Sequence, residues 1–230
     1  MVRAQMLGPF VLTAGLVGAQ AACAQDSGFS ATATLTSDYR FRGVSQSGLD
    51  PAVQGSVDYA DASSGLYAGV WASNVDGLAG ADAEVDLYAG VNRTTAGGLR
   101  WGLGGYGYFY PGGHQLSYGE ATAELGYTIG PVQAKAMAVY APSQANIGGD
   151  NLYLGGELNA GIPKTPLTVV LHGGYEDGMY AGKFDWQAEL RFVRAPFTLS
   201  ASYVDTNLRR SDPFGRYGRA GAIMSVSVVF

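Results

Sequence analysis

The sequence predicts an all-β protein, a transmembrane antiparallel up-and-down β-barrel of about twelve strands that follows an N-terminal signal peptide. Three observations lead there. Apolar and polar residues alternate with a period of two along most of the chain, and helical periodicity is nearly absent. The intervals between the alternating segments are by turns long and short. The final segment places Met224, Val226, Val228 and Phe230 on one face, with no polar tail after the aromatic ring.

The first element is a leader. Residues 1–24 contain one basic residue, Arg3, an apolar stretch from Leu7 to about Ala19, and then Ala22-Cys23-Ala24. That is the pattern of a cleaved secretory signal, which leaves 25–230 as the barrel. An acylated Cys23 is the less favoured reading, because Gln20 stands where a lipobox wants an apolar residue. The single cysteine leaves with the leader, so no disulfide, thiolate metal site or Cys nucleophile is expected.

The strands follow in order. Ser30 to Arg42 reads as one long strand, with Phe29, Ala31, Ala33, Leu35, Tyr39 and Phe41 on one side. Ser30, Thr32, Thr34, Thr36, Asp38, Arg40 and Arg42 occupy the other. Further segments are 52–61, 65–74, 83–92, 98–110, 118–129, 131–141, 151–161, 165–176, 184–194, 196–205 and 219–230. The long connections fall near 43–51, 75–82, 111–117, 142–150, 177–183 and 206–218. The short ones fall near 62–64, 93–97, Gly130, 162–164 and Ala195. An even number of strands with both ends on the periplasmic side produces this rhythm, and a Greek-key sandwich gives no reason for it. Periodicity alone fits a soluble sandwich too; the loop rhythm and the terminal strand favour the barrel.

Charge decides the faces. A charged side chain at mid-depth on the lipid face costs about 2–4 kcal/mol, so the charged face must line the lumen. This assigns Asp38, Asp58, Glu84, Asp86, Glu120, Glu124, Glu157, Glu176, Asp185 and Glu189 to the interior, with Arg40, Arg42, Arg100, Lys135 and Arg191. Acids outnumber bases there, as they do in the whole chain (19 against 14, net −5). No basic cluster or motif suits nucleic acid. Gly is frequent, at 35 residues, and lies within the alternating patterns rather than in disordered tracts.

The single-residue signals each have two readings. Asp38, Arg40 and Arg42 either filter permeants by charge or pair with inward acids such as Asp58 or Glu84 and fill the lumen. Tyr106, Tyr108 and Tyr110 suit an aromatic girdle better than a stacking platform inside. Trp71, Trp101 and Trp186 read as lipid-side or interface anchors, and Gly104-Gly105 as a bend or a close strand approach. His172 faces inward, away from the outer face where an esterase-like Ser-His pair would sit, and His114, in an outer loop with Ser117 close in sequence, has no group to orient it. No cofactor, metal or catalytic residue is expected.

Ser37-Asp38-Tyr39-Arg40-Phe41-Arg42-Gly43-Val44-Ser45-Gln46-Ser47-Gly48 and Tyr67-Ala68-Gly69-Val70-Trp71-Ala72-Ser73-Asn74-Val75-Asp76 resemble the TorF family of proteobacterial porins. The resemblance runs from about Asp26 to Phe230. It implies a Gram-negative outer-membrane barrel with a porin-like role. The Phe230 strand resembles the sorting signal read by the barrel-assembly machinery. Together these readings imply a passive pore for small hydrophilic solutes, surrounded by outer-membrane lipid and weakly preferring cations. A plugged, partner-binding barrel and an outer-membrane lipid-acting enzyme are the alternatives.

Overall fold

The computed structural model describes residues 27–78, 80–113, 116–145, 149–178 and 182–230. The expected leader with Cys23, and His114, lie outside them. The long strands follow the period-two pattern over most of their length. The described strands are β1 (Gly28–Thr36), β2 (Arg40–Phe41), β3 (Val44–Ser45), β4 (Ala52–Ala60), β5 (Leu66–Leu78), β6 (Ala81–Thr94) and β7 (Arg100–Phe109). After them come β8 (Tyr118–Ile129), β9 (Val132–Ala141), β10 (Asn151–Gly161), β11 (Leu167–Asp177), β12 (Lys183–Arg194), β13 (Phe197–Thr206) and β14 (Gly221–Val229).

Twelve of these, β1 and β4 to β14, form one closed antiparallel barrel in which each strand pairs with its neighbour in sequence. Closure joins β1 to β14 from Thr32↔Val229 to Thr36↔Ser225, and a Thr34–Ser227 hydroxyl bond of 2.8 Å crosses the same seam on the inside. A closed barrel leaves no strand edge unpaired, which is what lipid requires of a backbone that crosses it.

The distribution of side chains is inverted relative to a water-soluble protein. Leu35, Val57, Leu87, Leu103, Leu125, Leu171, Phe184 and Met224 point outward and are exposed, while Asp58, Glu84, Asp86, Glu157 and Lys183 are buried inside. An apolar belt of this extent has no place in water, and the same belt is the surface that a bilayer solvates. The chain is a transmembrane β-barrel.

The first predicted strand is the main correction. β1 stops at Thr36, and residues 37–51 leave the wall to form a small hairpin in which Arg40 faces Ser45 and Phe41 faces Val44. Arg42 (φ 47°) and Gly43 (φ 82°) turn it. Gly43 is required twice over. Its positive φ suits glycine, and a Cβ there would lie 2.4 Å from Thr206 Cγ2 and 2.9 Å from Asp185 Cβ. A hairpin keeps the period of a strand, so the alternation through Arg42 could not reveal where the chain turned.

The rhythm of the connections holds in part. The connections 37–51, 110–117, 142–150, 178–182 and 207–220 lie at one end of the barrel, and 61–65, 95–99, 130–131, 162–166 and 195–196 at the other; 178–182, expected to be long, has five residues, no more than 61–65, 95–99 or 162–166. The expected long connection at 75–82 is instead absorbed into β5 and β6, with a register irregularity between Asn74 and Leu78. In the 61–65 turn, hydrogen bonds from Ser27, Ser64 and Ser63 hold the Asp61 carboxyl below the usual range.

Several glycines have a common purpose on the inner face. Gly69 lies opposite Tyr88, and Gly90 opposite Tyr67, so each tyrosine ring lies flat across the strand beside it. A Cβ at Gly174 would sit 2.0 Å from Tyr153 Oη, and one at Gly104 would sit 2.5 Å from Tyr67 Oη. The expected close approach at Gly104 is thus that of a ring. Replacing Gly174 with Val should displace Tyr153 and cost about 1–3 kcal/mol through overpacking. Urea unfolding of the barrel in lipid vesicles measures this, and an unchanged midpoint would contradict it.

Candidate functional site in the lumen

Residues 37–51 start between β1 and β4 and reach the opposite wall. The segment is held first by an aromatic core. Tyr39 packs on Trp71 with ring centroids 5.2 Å apart, and Phe41 meets the edge of Tyr108 at 5.8 Å. Tyr88, Val75, Ala52 and Ala81 complete this buried cluster, with Tyr106 and Tyr110 packed against it. Tyr88, Tyr106, Tyr108 and Tyr118 form a stacked row whose successive centroids are 5.2, 6.2 and 4.5 Å apart. Tyr106, Tyr108 and Tyr110 therefore face the lumen, not the expected girdle. Trp71, at 1 % exposure, is likewise a lumen residue, because it alternates with the outward Val70 and Ala72. Trp186 is exposed to lipid as expected.

Polar contacts fix the segment internally. The Asp38 carboxylate accepts from Arg40 Nε (2.6 Å), Ser45 Oγ (2.6 Å) and Ser47 Oγ (3.3 Å). Arg40 Nη1 donates to the carbonyls of Gly43, Tyr217 and Arg219, each at 2.9 Å, tying the hairpin to the 207–220 loop. The pairing partners expected for these residues, Asp58 and Glu84, lie elsewhere. Asp58 accepts from Tyr88 Oη and Ser56, and Glu84 from Tyr110 Oη at 3.1 Å.

Arg42 crosses the lumen to a cage of its own. Its Nη2 donates to Glu120 Oε2 at 2.7 Å and its Nη1 to Glu176 Oε1 at 2.9 Å. The guanidinium lies 4.6 Å over the Tyr153 ring and 4.6 Å over Phe41. Both carboxylates are themselves oriented. Tyr108 Oη donates to Glu120 Oε2, Asn151 Nδ2 to Glu176 Oε1, and Lys183 Nζ reaches Glu176 Oε2 at 2.8 Å and the Arg42 carbonyl at 2.5 Å. Tyr153, Glu176 and Lys183 are consecutive register partners across β10, β11 and β12, so the wall presents them as a row. All of these groups are buried, and removing one partner of such a buried pair typically costs 3–5 kcal/mol.

The remaining predicted residues line the same interior. Glu157 and Lys135 are 4.0 Å apart, with Asn159 Nδ2 donating to Glu157 at 2.6 Å. Arg191 and Gln187 both bind Glu189, at 2.6 and 2.9 Å. Arg100 reaches Thr128 at 3.2 Å, and Glu124 is half-buried on β8. Asp185 stands 3.3 Å from His172 Nε2, which also meets Tyr153 Oη at 2.7 Å. Asp86 is fully buried, and neither of its carboxylate oxygens has a hydrogen-bond partner among the described residues. A carboxylate so placed is costly in its charged form.

Lys183, Asn151 and Tyr153 are lumen residues that the sequence reading passed over. The signal for the first was present, since Lys183 extends the inward series Asp185, Gln187, Glu189 and Arg191 by one step of two.

The closed barrel, its lipid-compatible outside and its charged interior define a transmembrane β-barrel protein. The chain belongs to the Gcw_chp family of bacterial proteins of unknown function, whose profile matches residues 20–226. No curated protein matches the sequence. Among solved structures it is similar to the KdgM porin, with a TM-score of 0.62 at 8 % identity over 87 % of this chain and 98 % of that one. The KdgM porin in complex with disordered oligogalacturonate gives a TM-score of 0.58 at 9 % identity, covering 88 % and 97 %. The NanC porin gives 0.58 at 11 % identity, covering 88 % and 99 %. At these identities the likeness is one of fold.

Proposed function

We propose that the chain is an outer-membrane channel for passive diffusion of small hydrophilic solutes, with a weak preference for cations and no enzymatic activity. The observation that carries this is a closed barrel whose interior is lined by charge with the acids in excess. Asp38, Asp58, Glu84, Asp86, Glu120, Glu124, Glu157, Glu176, Asp185 and Glu189 stand against Arg40, Arg42, Arg100, Lys135, Lys183 and Arg191. A lumen of that sign attracts cations and repels anions at close range. The resemblance to TorF porins and the fold shared with KdgM and NanC support a diffusive role. The oligogalacturonate bound by one of those porins is a polyanion, and an acid-rich lumen is a poor match for it. Export by the 1–24 leader and assembly through the terminal strand belong to the same reading.

A second reading, a plugged barrel that binds an external partner, is favoured by one feature: the 37–51 segment crosses the lumen and is pinned by Arg42. Planar-bilayer recording of the refolded protein in a potassium chloride gradient separates the two. Discrete current steps with a cation-directed reversal potential are expected. An anion-directed potential would refute the selectivity, and insertion with no current under any voltage would favour the plug.

A further inference from the structure

The surroundings of Arg42 are those of a ligand rather than of a wall residue. A planar cation sits between two carboxylates on separate strands, Glu120 on β8 and Glu176 on β11, and lies over the ring of Tyr153 on β10. Every one of those groups belongs to the rigid barrel. The cation alone belongs to a loop, and it is delivered at a turn with positive φ. Carboxylates that accept two in-plane N–H donors, combined with an aromatic face, are the chemistry that distinguishes guanidinium from a spherical cation. Lys183 neutralises part of this cluster, so two carboxylates and one ammonium remain when Arg42 is gone, with room in charge for one further cation.

From this geometry we infer that the lumen carries a guanidinium-binding cage, formed by Glu120, Glu176 and Tyr153, which the chain's own Arg42 occupies in the closed barrel. The 37–51 loop is then a tethered occupant of a solute site. The solutes for which the opened lumen has a site are small organic cations bearing a guanidinium group. This rests on the channel reading for its transport aspect, and on the cage alone for its binding aspect. A tethered group competes at an effective concentration on the order of millimolar or more, so the native barrel responds weakly to free guanidinium. Taking away the side chain exposes the site.

The test uses the refolded full barrel with Arg42→Ala, and Arg42→Ser as a second small variant that likewise vacates the cage. The first readout is the temperature at which the barrel loses its compact gel mobility. Millimolar guanidinium chloride should raise that temperature in the variants by several degrees, and equal sodium or tetramethylammonium chloride should not. Glu120→Gln with Glu176→Gln on the same background should abolish the rise. An equal response to sodium, or a rise that survives loss of both carboxylates, would overturn the cage. The second readout is current. Guanidinium should reduce potassium current through Arg42→Ala several-fold more than tetramethylammonium does. A selectively stabilised variant that passes no current upholds the cage and refutes transport, whereas current indifferent to the choice of cation, with no selective stabilisation, refutes the cage and leaves the channel reading standing.

Discussion

Replacing residues 38–50 with a short glycine-serine turn is expected to raise single-channel conductance several-fold while leaving the barrel folded. The wall depends on the segment for little of its pairing: Asp76 near the end of β5 bonds to Gln46, but β1 binds β14 and β4 through Thr36 without it. The lumen does depend on it for filling. A barrel of about eight strands has an interior that its own side chains can fill, whereas twelve strands enclose more space than theirs alone occupy. Here the excess is taken up by Tyr39, Phe41 and Arg42, which bury Trp71 and cover Glu120 and Glu176. In a dry interior, loss of the Arg42 cation would leave Glu120 without its ion partner and Glu176 with Lys183 alone, at a cost of about 3–5 kcal/mol. Removing the whole segment admits water to the same place, so the penalty for the acids falls and the stability loss should be smaller than for Arg42→Ala. Two measurements decide this. Conductance should rise in planar bilayers, and Trp71 emission should shift to the red as its ring becomes wet. Unchanged conductance would mean that the passage, if there is one, runs elsewhere in the section.

The barrel was legible in the sequence because the property that defines it is local and repeated. Each strand must offer lipid one face and the lumen the other, so Ala121, Ala123, Leu125 and Tyr127 opposed to Glu120, Thr122 and Glu124 already specify both the strand and its orientation. The errors have two main causes. Alternation reports that two faces differ, but neither where the chain leaves the wall nor which of two surfaces, lumen or interface, an amphipathic ring on the wall meets. Asp38, Arg40 and Arg42 keep the period of β1 while lying in a hairpin across the lumen. Tyr106, Tyr108 and Tyr110 share the inward parity of Gly104, and their amphipathic rings suit an interface as well as a filled interior. Trp71 falls in the same class. What would have separated the readings is a pairing across strands: tyrosines that lie opposite glycines, as Tyr88 opposite Gly69 and Tyr67 opposite Gly90, belong to one folded inner face. The cage at Arg42 was beyond sequence reading in principle. It joins a loop residue to groups on β8, β10 and β11, and only closure of the barrel brings them within bonding distance.

Introducing arginine at Leu125 should cost about 2–4 kcal/mol in lipid, because the side chain lies near the middle of β8 on the exposed apolar face. The same substitution at Ser202 should cost less than about 1 kcal/mol. Ser202 lies near the middle of β13, but it faces inward as the register partner of Glu189, so its new charge enters a polar surface beside an acid. Hydrocarbon offers Leu125→Arg no counter-charge, and its guanidinium must either drag water into the bilayer or stretch towards the headgroups. Denaturant unfolding from phospholipid vesicles, followed by tryptophan emission, gives both values on one scale. The difference between them tests the assignment of faces more sharply than either alone, since a soluble sandwich inverts it. In such a fold Leu125 would sit in the core and Ser202 on a hydrated surface, and the protein would remain folded in water without lipid. If both variants unfold at the same denaturant concentration, the outward belt does not meet lipid, and the channel reading falls with it.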